Sequence, residues 1–568
     1  MQKWLTRYTA FYIIIGLTAF FLLLSLFRSA SWLWLAIPGL ALCIQGLVDI
    51  TQTRHAIRRN YPVIGNLRFI FEAIRPEIRQ YFLEGDEQQL PFSRADRSLV
   101  YQRAKQQVDK QPFGTHQEVY NNGYEWINHS MTPKHIKDSQ FRITVGGPDC
   151  TQPYSLSVLN ISAMSFGALS ANAILALNKG AKMGNFAHDT GEGGISTYHL
   201  RHGGDLIWNI GSGYFGCRDE QGNFSPERFA ERATQDHIKM IEIKLSQGAK
   251  PGHGGILPGT KVSPEIALAR GVPEGVDCNS PPSHSAFHSP VELLEFVAKL
   301  RTLSGGKPVG FKLCIGHAWE WFAIAKAMLK TGITPDFIVV DGAEGGTGAS
   351  PVEFIDHVGT PLREALRLVH NTLVGIGLRE QIRLGASGKI ISAFDMARIM
   401  ALGADWCNSA RGFMFAVGCI QAQACHTDKC PTGVATQDPQ RQKALVVDDK
   451  SLRVASFHGN TLKALAELLG AAGLEHPDQL RPHHIARRIS NGEVRVMSAL
   501  FPDLKKGELL RGHYRQTIFR VGWPMANPDS FEPAYSLSKA LSYLNDEADP
   551  EEIMKKQDVA DSAGQALA

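Results

Sequence analysis

The stretch "DFIVVDGAEGGTGAS", residues 336–350, runs four apolar, β-favouring residues into an aspartate and then into four glycines within seven positions. A strand apolar at every position is buried on both faces, as in a parallel sheet under helices. The glycines behind it make a loop whose backbone can approach a ligand closely.

The same pattern recurs outward in both directions. "YSLSVLNIS" (154–162), "FAHDTGEGG" (186–194), "MIEIKLS" (240–246), "PVGFKLCIG" (308–316), "QIRLGAS" (381–387) and "ADWCNSA" (404–410) read as strands. They alternate with helical stretches such as 172–184, 291–303, 318–332 and 393–403. Right-handed βαβ units in this number predict an α/β fold, a closed (β/α)8 TIM barrel over 151–475. A longer segment at 195–238 interrupts the repeat, and no GxGxxG follows a strand, so no dinucleotide-binding domain is expected.

The N-terminus differs. Residues 11–27 and 31–48 are two uncharged apolar runs, each about the length of one bilayer crossing. Lys3, Arg7, Arg54, Arg58 and Arg59 flank them, against Arg28 alone in the turn, so a transmembrane helical hairpin (1–50) is expected in the inner, cytoplasmic membrane with the remaining chain facing the cytoplasm. Nine cysteines without paired spacing suit that reducing compartment. Residues 51–150 read as a mostly helical extension broken at Pro76, 476–545 as a C-terminal extension and 546–568 as a disordered tail. A net charge of +4 from 59 basic and 55 acidic residues carries no nucleic-acid footprint.

In such a barrel the loops after the strands build the site. Loops 189–194, 248–255, 341–350 and 385–388 are glycine-dense, and those after strands seven and eight, around Ser387, Gly388 and Ser409, form the usual phosphate pocket; a phosphorylated ligand such as FMN is expected there, or else Ser387 and Ser409 merely cap helices. Lys244 and Lys312 sit within apolar strands, where a lysine needs a carboxylate or a ligand, and Lys312 suits the N1 edge of a flavin. Lys250 is placed to help bind a dicarboxylate, and Arg270 reads as a surface ion pair. Glu192 is a candidate acid or base, or an ordinary ion-pair partner. His253, His284, His288 and His317 lack metal-ligand spacing. Cys419, Cys425 and Cys430 follow the last barrel strand with a spacing that matches neither zinc ribbons nor ferredoxins; three thiolates suit a three-iron cluster or remain buried free cysteines.

"GAKPGHGGILPGTKV" (248–262), "DGAEGGTGASP" (341–351) and "GCIQAQACHTDKCPTGVATQDP" (418–439) resemble the FMN-binding synthase domain of glutamate synthase over about 155–470. The whole chain, with "YPVIGNLRFIFEAIRPEIRQYF" (61–82), resembles the membrane-anchored FMN-binding members of that family. The resemblance implies FMN and a 3Fe-4S cluster on Cys419, Cys425 and Cys430, with 2-iminoglutarate from 2-oxoglutarate and ammonia reduced to L-glutamate. It places Met164, Ser165, Lys312, Gly345, Gly346, Ser387, Gly388, Ser409 and Arg411 at the flavin, and Lys244, Gln247, Lys250 and Gly254 at the substrate. Glutamine is not expected as the direct nitrogen donor, because a hairpin stands where glutamate synthase carries its amidotransferase domain. Ferredoxin, a reductase subunit or a quinone would supply electrons. A different 2-oxo acid or amine on the same scaffold, or a non-catalytic membrane-bound electron relay, are the alternatives.

Overall fold

The computed structural model describes residues 7–88, 91–512, 514–539 and 541. Lys3 and the expected tail lie outside the described residues. The chain divides into two compact units, Met1–Leu90 and Pro91–Ala568.

In the first unit, helices Thr9–Phe27 and Leu33–Thr51 pack on each other, and both are long and apolar enough to cross a membrane. Small residues let them approach. A Cβ on Gly39 would lie 2.4 Å from Thr18 Oγ1, and one on Gly46 would strike the Phe11 ring. Pro76 does not interrupt the following helix, Gly65–Ile78; the proline lacks an N–H, and the chain widens behind it into a π-turn, Arg79–Leu83, closed by Glu84 N donating to Arg79 O at 2.7 Å.

In the second unit eight parallel strands close into a barrel: β1 Leu159–Ile161, β2 His188–Asp189, β3 Leu206–Ile210, β4 Ile238–Lys244, β5 Val309–Leu313, β6 Phe337–Asp341, β7 Arg383–Ser387 and β8 Trp406–Ser409. The expected eight-fold barrel is therefore the observed fold. The run 154–162 is two strands, however. Tyr154–Ser157 pairs antiparallel with Arg142–Val145, and only Leu159–Ile161 enters the barrel. Val145 and Leu156 of that hairpin pack with Ala187, Ile207, Met240, Phe337, Val339 and Trp406 in an apolar cluster. Successive side chains of a strand alternate between faces. The shared cluster therefore marks the lumen face, and the hairpin closes its lower end.

Helices such as Ala171–Gly184, Pro290–Leu303, Ala318–Thr331 and Leu362–Gly375 follow the strands, and Val447–Ala471 packs against Ala171–Gly184. The extension expected to be mostly helical is so only to Ala104. Beyond it, Glu125–Ile127 joins a three-stranded sheet with Ile485–Ser490 and Glu493–Val496. Glu125, nearly inaccessible, takes ion pairs from Arg363 and Arg398 and so ties this sheet to the barrel helices.

Candidate active site

Counting upward by twos from the apolar layer gives the chemistry of the cleft. From Ala187 the next lumen position on β2 is Asp189; from Ile207 on β3, Asn209; from Met240 on β4, Glu242 and then Lys244; from Val339 on β6, Asp341; from Trp406 on β8, Asn408. β5 contributes Lys312, which β4 and β5 place beside Lys244 in register. A polar layer thus lies on the apolar one, at the C-terminal ends of the strands where a barrel builds its site.

Lys312 Nζ pairs with Glu242 Oε1 at 3.0 Å, and Asn209 Nδ2 donates to the same oxygen at 2.5 Å. Burial opposes the Lys312 charge, but Glu242, Asp189 and Asp341 outweigh it and raise the ammonium above its ordinary value. Asp189 Oδ2 and Glu242 Oε2 are buried without a hydrogen-bond partner among the described residues. Burial, and then the Glu242 charge, push the Asp189 carboxyl well above the carboxylate range.

Above it lies an open cleft. Met164, Ser165, Glu192, Lys244, Gln247, Lys312, Gly345, Gly346, Ser387, Gly388, Ser409, Arg411 and Cys425 all line it, brought together from six strand-end loops and the segment after β8. Lys250 and Gly254 do not. Gly254 instead packs so closely on the next loop that a Cβ would lie 2.1 Å from Ser280 O.

Lys244 Nζ donates to Glu192 Oε2 at 2.8 Å and to Gln247 Oε1 at 3.0 Å. Burial would raise the Glu192 carboxyl, yet Lys244, Lys250 and Arg270 together hold it at about 2. It is an anion at neutral pH and donates no proton. Arg270 is not a surface ion pair: it is buried, its guanidinium 5.1 Å from the Phe215 ring centroid, with Nη2 donating to Phe166 O at 3.3 Å. Of the four histidines, His284 is buried with Nε2 2.9 Å from Lys244 O, and burial keeps its imidazole neutral with a pKa of about 4.

The two serines neither cap helices nor offer a free hydroxyl proton. Ser392 caps helix Ala393–Ala401, and helix Arg411–Val417 has no side-chain cap. Ser387 Oγ donates to Asp341 Oδ1, and Ser409 Oγ to Ile390 O at 2.6 Å. Arg411, whose Nη2 donates to Thr347 O at 2.7 Å, and Lys389 are cations on that wall, and a Cβ on Gly346 would come within 3.4 Å of the Arg411 guanidinium.

Asp341 is the organising residue that sequence reading passed over. It takes the Ser387 hydroxyl on one oxygen and Gly248 N–H at 2.8 Å on the other. Its signal was present in the sequence: an acid ends an otherwise apolar buried strand.

Residues 103–475 match the family described as "Conserved region in glutamate synthase". The chain belongs to the glutamate synthase family. It is 40% identical over 501 residues to the "Glutamate synthase large subunit-like protein YerD" of Bacillus subtilis, across 81% of this chain and 95% of that protein. To the "Archaeal glutamate synthase [NADPH]" of Methanocaldococcus jannaschii it is 35% identical, across 63% of this chain and 66% of that protein. Among solved structures, a flavocytochrome b2 variant with pyruvate bound is similar at a TM-score of 0.39 and 11% identity, across 79% of this chain and 91% of that one.

In this chain the cysteine segment follows β8 and its helix. Cys425 lines the cleft, while Cys419 and Cys425 both line an adjoining cavity; Cys430 is buried beside them. Among the described residues no three His, Cys, Asp or Glu side chains close on a single metal ion. Gln421, Gln423 and Asp428 all adopt left-handed backbone, φ 60, 54 and 63, a concentration of strained non-glycine residues of the kind found at functional sites. Burial alone would raise the Cys430 thiol, but the N–H of Ala435, the Thr432 hydroxyl and the N–H groups of Thr432 and Val434 hold it below its ordinary value. Cys419 Sγ accepts from Gln421 N at 3.5 Å, although burial keeps its thiol up at about 11.

Proposed function

We propose that the protein reduces 2-iminoglutarate to L-glutamate in this cleft, using FMN and a 3Fe-4S cluster, in the manner implied by its family. The observation that carries the reading is convergence: every residue assigned to the flavin lines one cleft, and Cys425 stands in its wall. The residues fit both groups. Asn209 Oδ1, at its floor, is buried without a hydrogen-bond partner among the described residues. Three thiols, one of them surrounded by N–H donors, match the donor set of a cluster.

When bound, FMN supplies a hydride and the cluster the electrons that restore it. The residues do the rest. Lys312, fixed by Glu242, presents a permanent positive charge at the floor, where anionic charge is stabilised without reorganisation. Arg411 meets the phosphate, assisted by backbone N–H groups of the glycine loops rather than by the Ser387 and Ser409 hydroxyls. Lys244 and Gln247 bind a substrate carboxylate, with Lys250 adding positive charge from outside the lining. Glu192 orients Lys244. 2-Oxoglutarate and ammonia condense with loss of water; hydride on the imine carbon and a proton on nitrogen then give L-glutamate, consuming two electrons.

The two apolar helices are proposed as a membrane hairpin that leaves the barrel in the cytoplasm, near a reductase, ferredoxin or quinone as electron donor. Anaerobic, dithionite-reduced protein given 2-oxoglutarate and 15N-ammonium is expected to form 15N-glutamate. Oxidation of bound flavin without labelled glutamate, or a preference for another 2-oxo acid, would overturn the substrate assignment.

A further inference from the structure

The first unit carries an apolar surface that its own helical hairpin leaves uncovered. Helix Gly65–Ile78 presents Leu67, Ile70, Phe71, Ile74 and Ile78 along one face, all exposed, and the turn beyond adds Phe82 and Leu83, which are 82% and 74% exposed. Arg68, Arg75 and Arg79 run along one border of that face and are exposed as well. The opposite side is already packed: Phe69 lies 5.0 Å from the His55 ring and 4.2 Å from the Arg58 guanidinium.

The helix is also held at a defined level. Asp49, in the last turn of the second apolar helix, is buried, and its Oδ2 accepts Val63 N at 2.9 Å and Asn66 Nδ2 at 2.5 Å. Val63 has φ 66, a strained conformation for a β-branched residue, so the carboxylate fixes a turn the backbone would not choose. Arg7, just before the first apolar helix, donates to Asn60 Oδ1 at 3.0 Å. Both ends of the hairpin that meet the polar chain are thus bonded to the turn that starts this helix.

We infer that the outward face of residues 65–83 lies in the headgroup layer of an anionic phospholipid bilayer, with the three arginines on lipid phosphates. The inference rests on the proposed membrane hairpin. A helix that begins at the membrane boundary with an apolar face and an arginine border matches interfacial helices, whose binding combines apolar burial with attraction to anionic lipid.

The test uses full-length protein in nanodiscs of phosphatidylcholine, with or without phosphatidylglycerol, and hydroxyl-radical footprinting read by mass spectrometry. Phe71 and Phe82 are expected to be labelled at least about three-fold less than the exposed Phe113 and Tyr120, more strongly with phosphatidylglycerol, and less so in high salt. Changing Arg68, Arg75 and Arg79 to Gln should remove only the phosphatidylglycerol increment. Labelling of Phe71 and Phe82 equal to that of Phe113 in discs holding an integrated hairpin would overturn the inference, as would protection seen only with two copies per disc. Extraction of the protein by alkaline carbonate would instead show that the hairpin reading fails, and this inference with it.

Discussion

Lys312 Nζ on β5 lies 3.0 Å from Glu242 Oε1 on β4, with both side chains almost sealed from solvent at 5% and 1% exposure. A buried pair of this kind is strongly unfavourable to break from one side, because the surviving charge keeps its desolvation cost. Lys312→Ala should therefore destabilise the protein by about 3–5 kcal/mol and lose FMN. Urea unfolding of the flavin-free protein separates the two effects. Lys312→Met with Glu242→Leu should recover stability and not flavin binding; recovery of both would remove the lysine from the flavin.

The Glu192 carboxyl, held at about 2 against an ordinary 4.5, predicts a pH dependence with a definite sign. Its folded-state value is depressed, so its stabilising contribution is complete above 4.5 and declines as pH falls from there toward 2. Lys244→Met removes the nearest cation, lets the folded-state value rise and should shrink that decline. Stability profiles of the two proteins that coincide between pH 3 and pH 5 would deny the coupling.

Cys425→Ser should lose iron while the barrel and its flavin remain, since a serine hydroxyl does not replace a thiolate at such a cluster. Iron analysis and the electron paramagnetic resonance signal of the oxidised protein check this. Unchanged iron content would refute the ligand assignment.

Gly248 packs so tightly that a Cβ would lie 1.9 Å from Gly342 O, and its N–H binds Asp341. Gly248→Ala should force the loops after β4 and β6 apart, costing about 1–3 kcal/mol, the range for overpacking. Weaker FMN retention should accompany the loss; a variant with wild-type melting temperature and flavin content would show that the two loops move freely.

Much of the site was legible because it obeys local rules. Glycine loops behind apolar strands mark the rim, and a lysine inside an apolar run demands a partner, which Lys312 finds in Glu242 and Lys244 in Glu192. What was not legible depends on distance in the chain. Ser387 looks like a free hydroxyl until Asp341, 46 residues earlier, accepts its hydrogen bond. Arg270 looks like a surface charge until Phe215 and Phe166 cover it. Lys250 and Gly254 share a loop with Gln247, yet only Gln247 reaches the cleft.

The amino-acid sequence by itself determined the alternation of strands and helices, the two apolar runs at the start and the residue types available to the chemistry, because hydrophobic period and glycine placement act over a few residues. The tertiary structure alone decided which face of each strand turned into the lumen. Closing the barrel brings the lumen-facing residues of separate strands together, and that closure set Glu242 against Lys312 with Asp189 and Asp341 near enough for their charges to hold the ammonium.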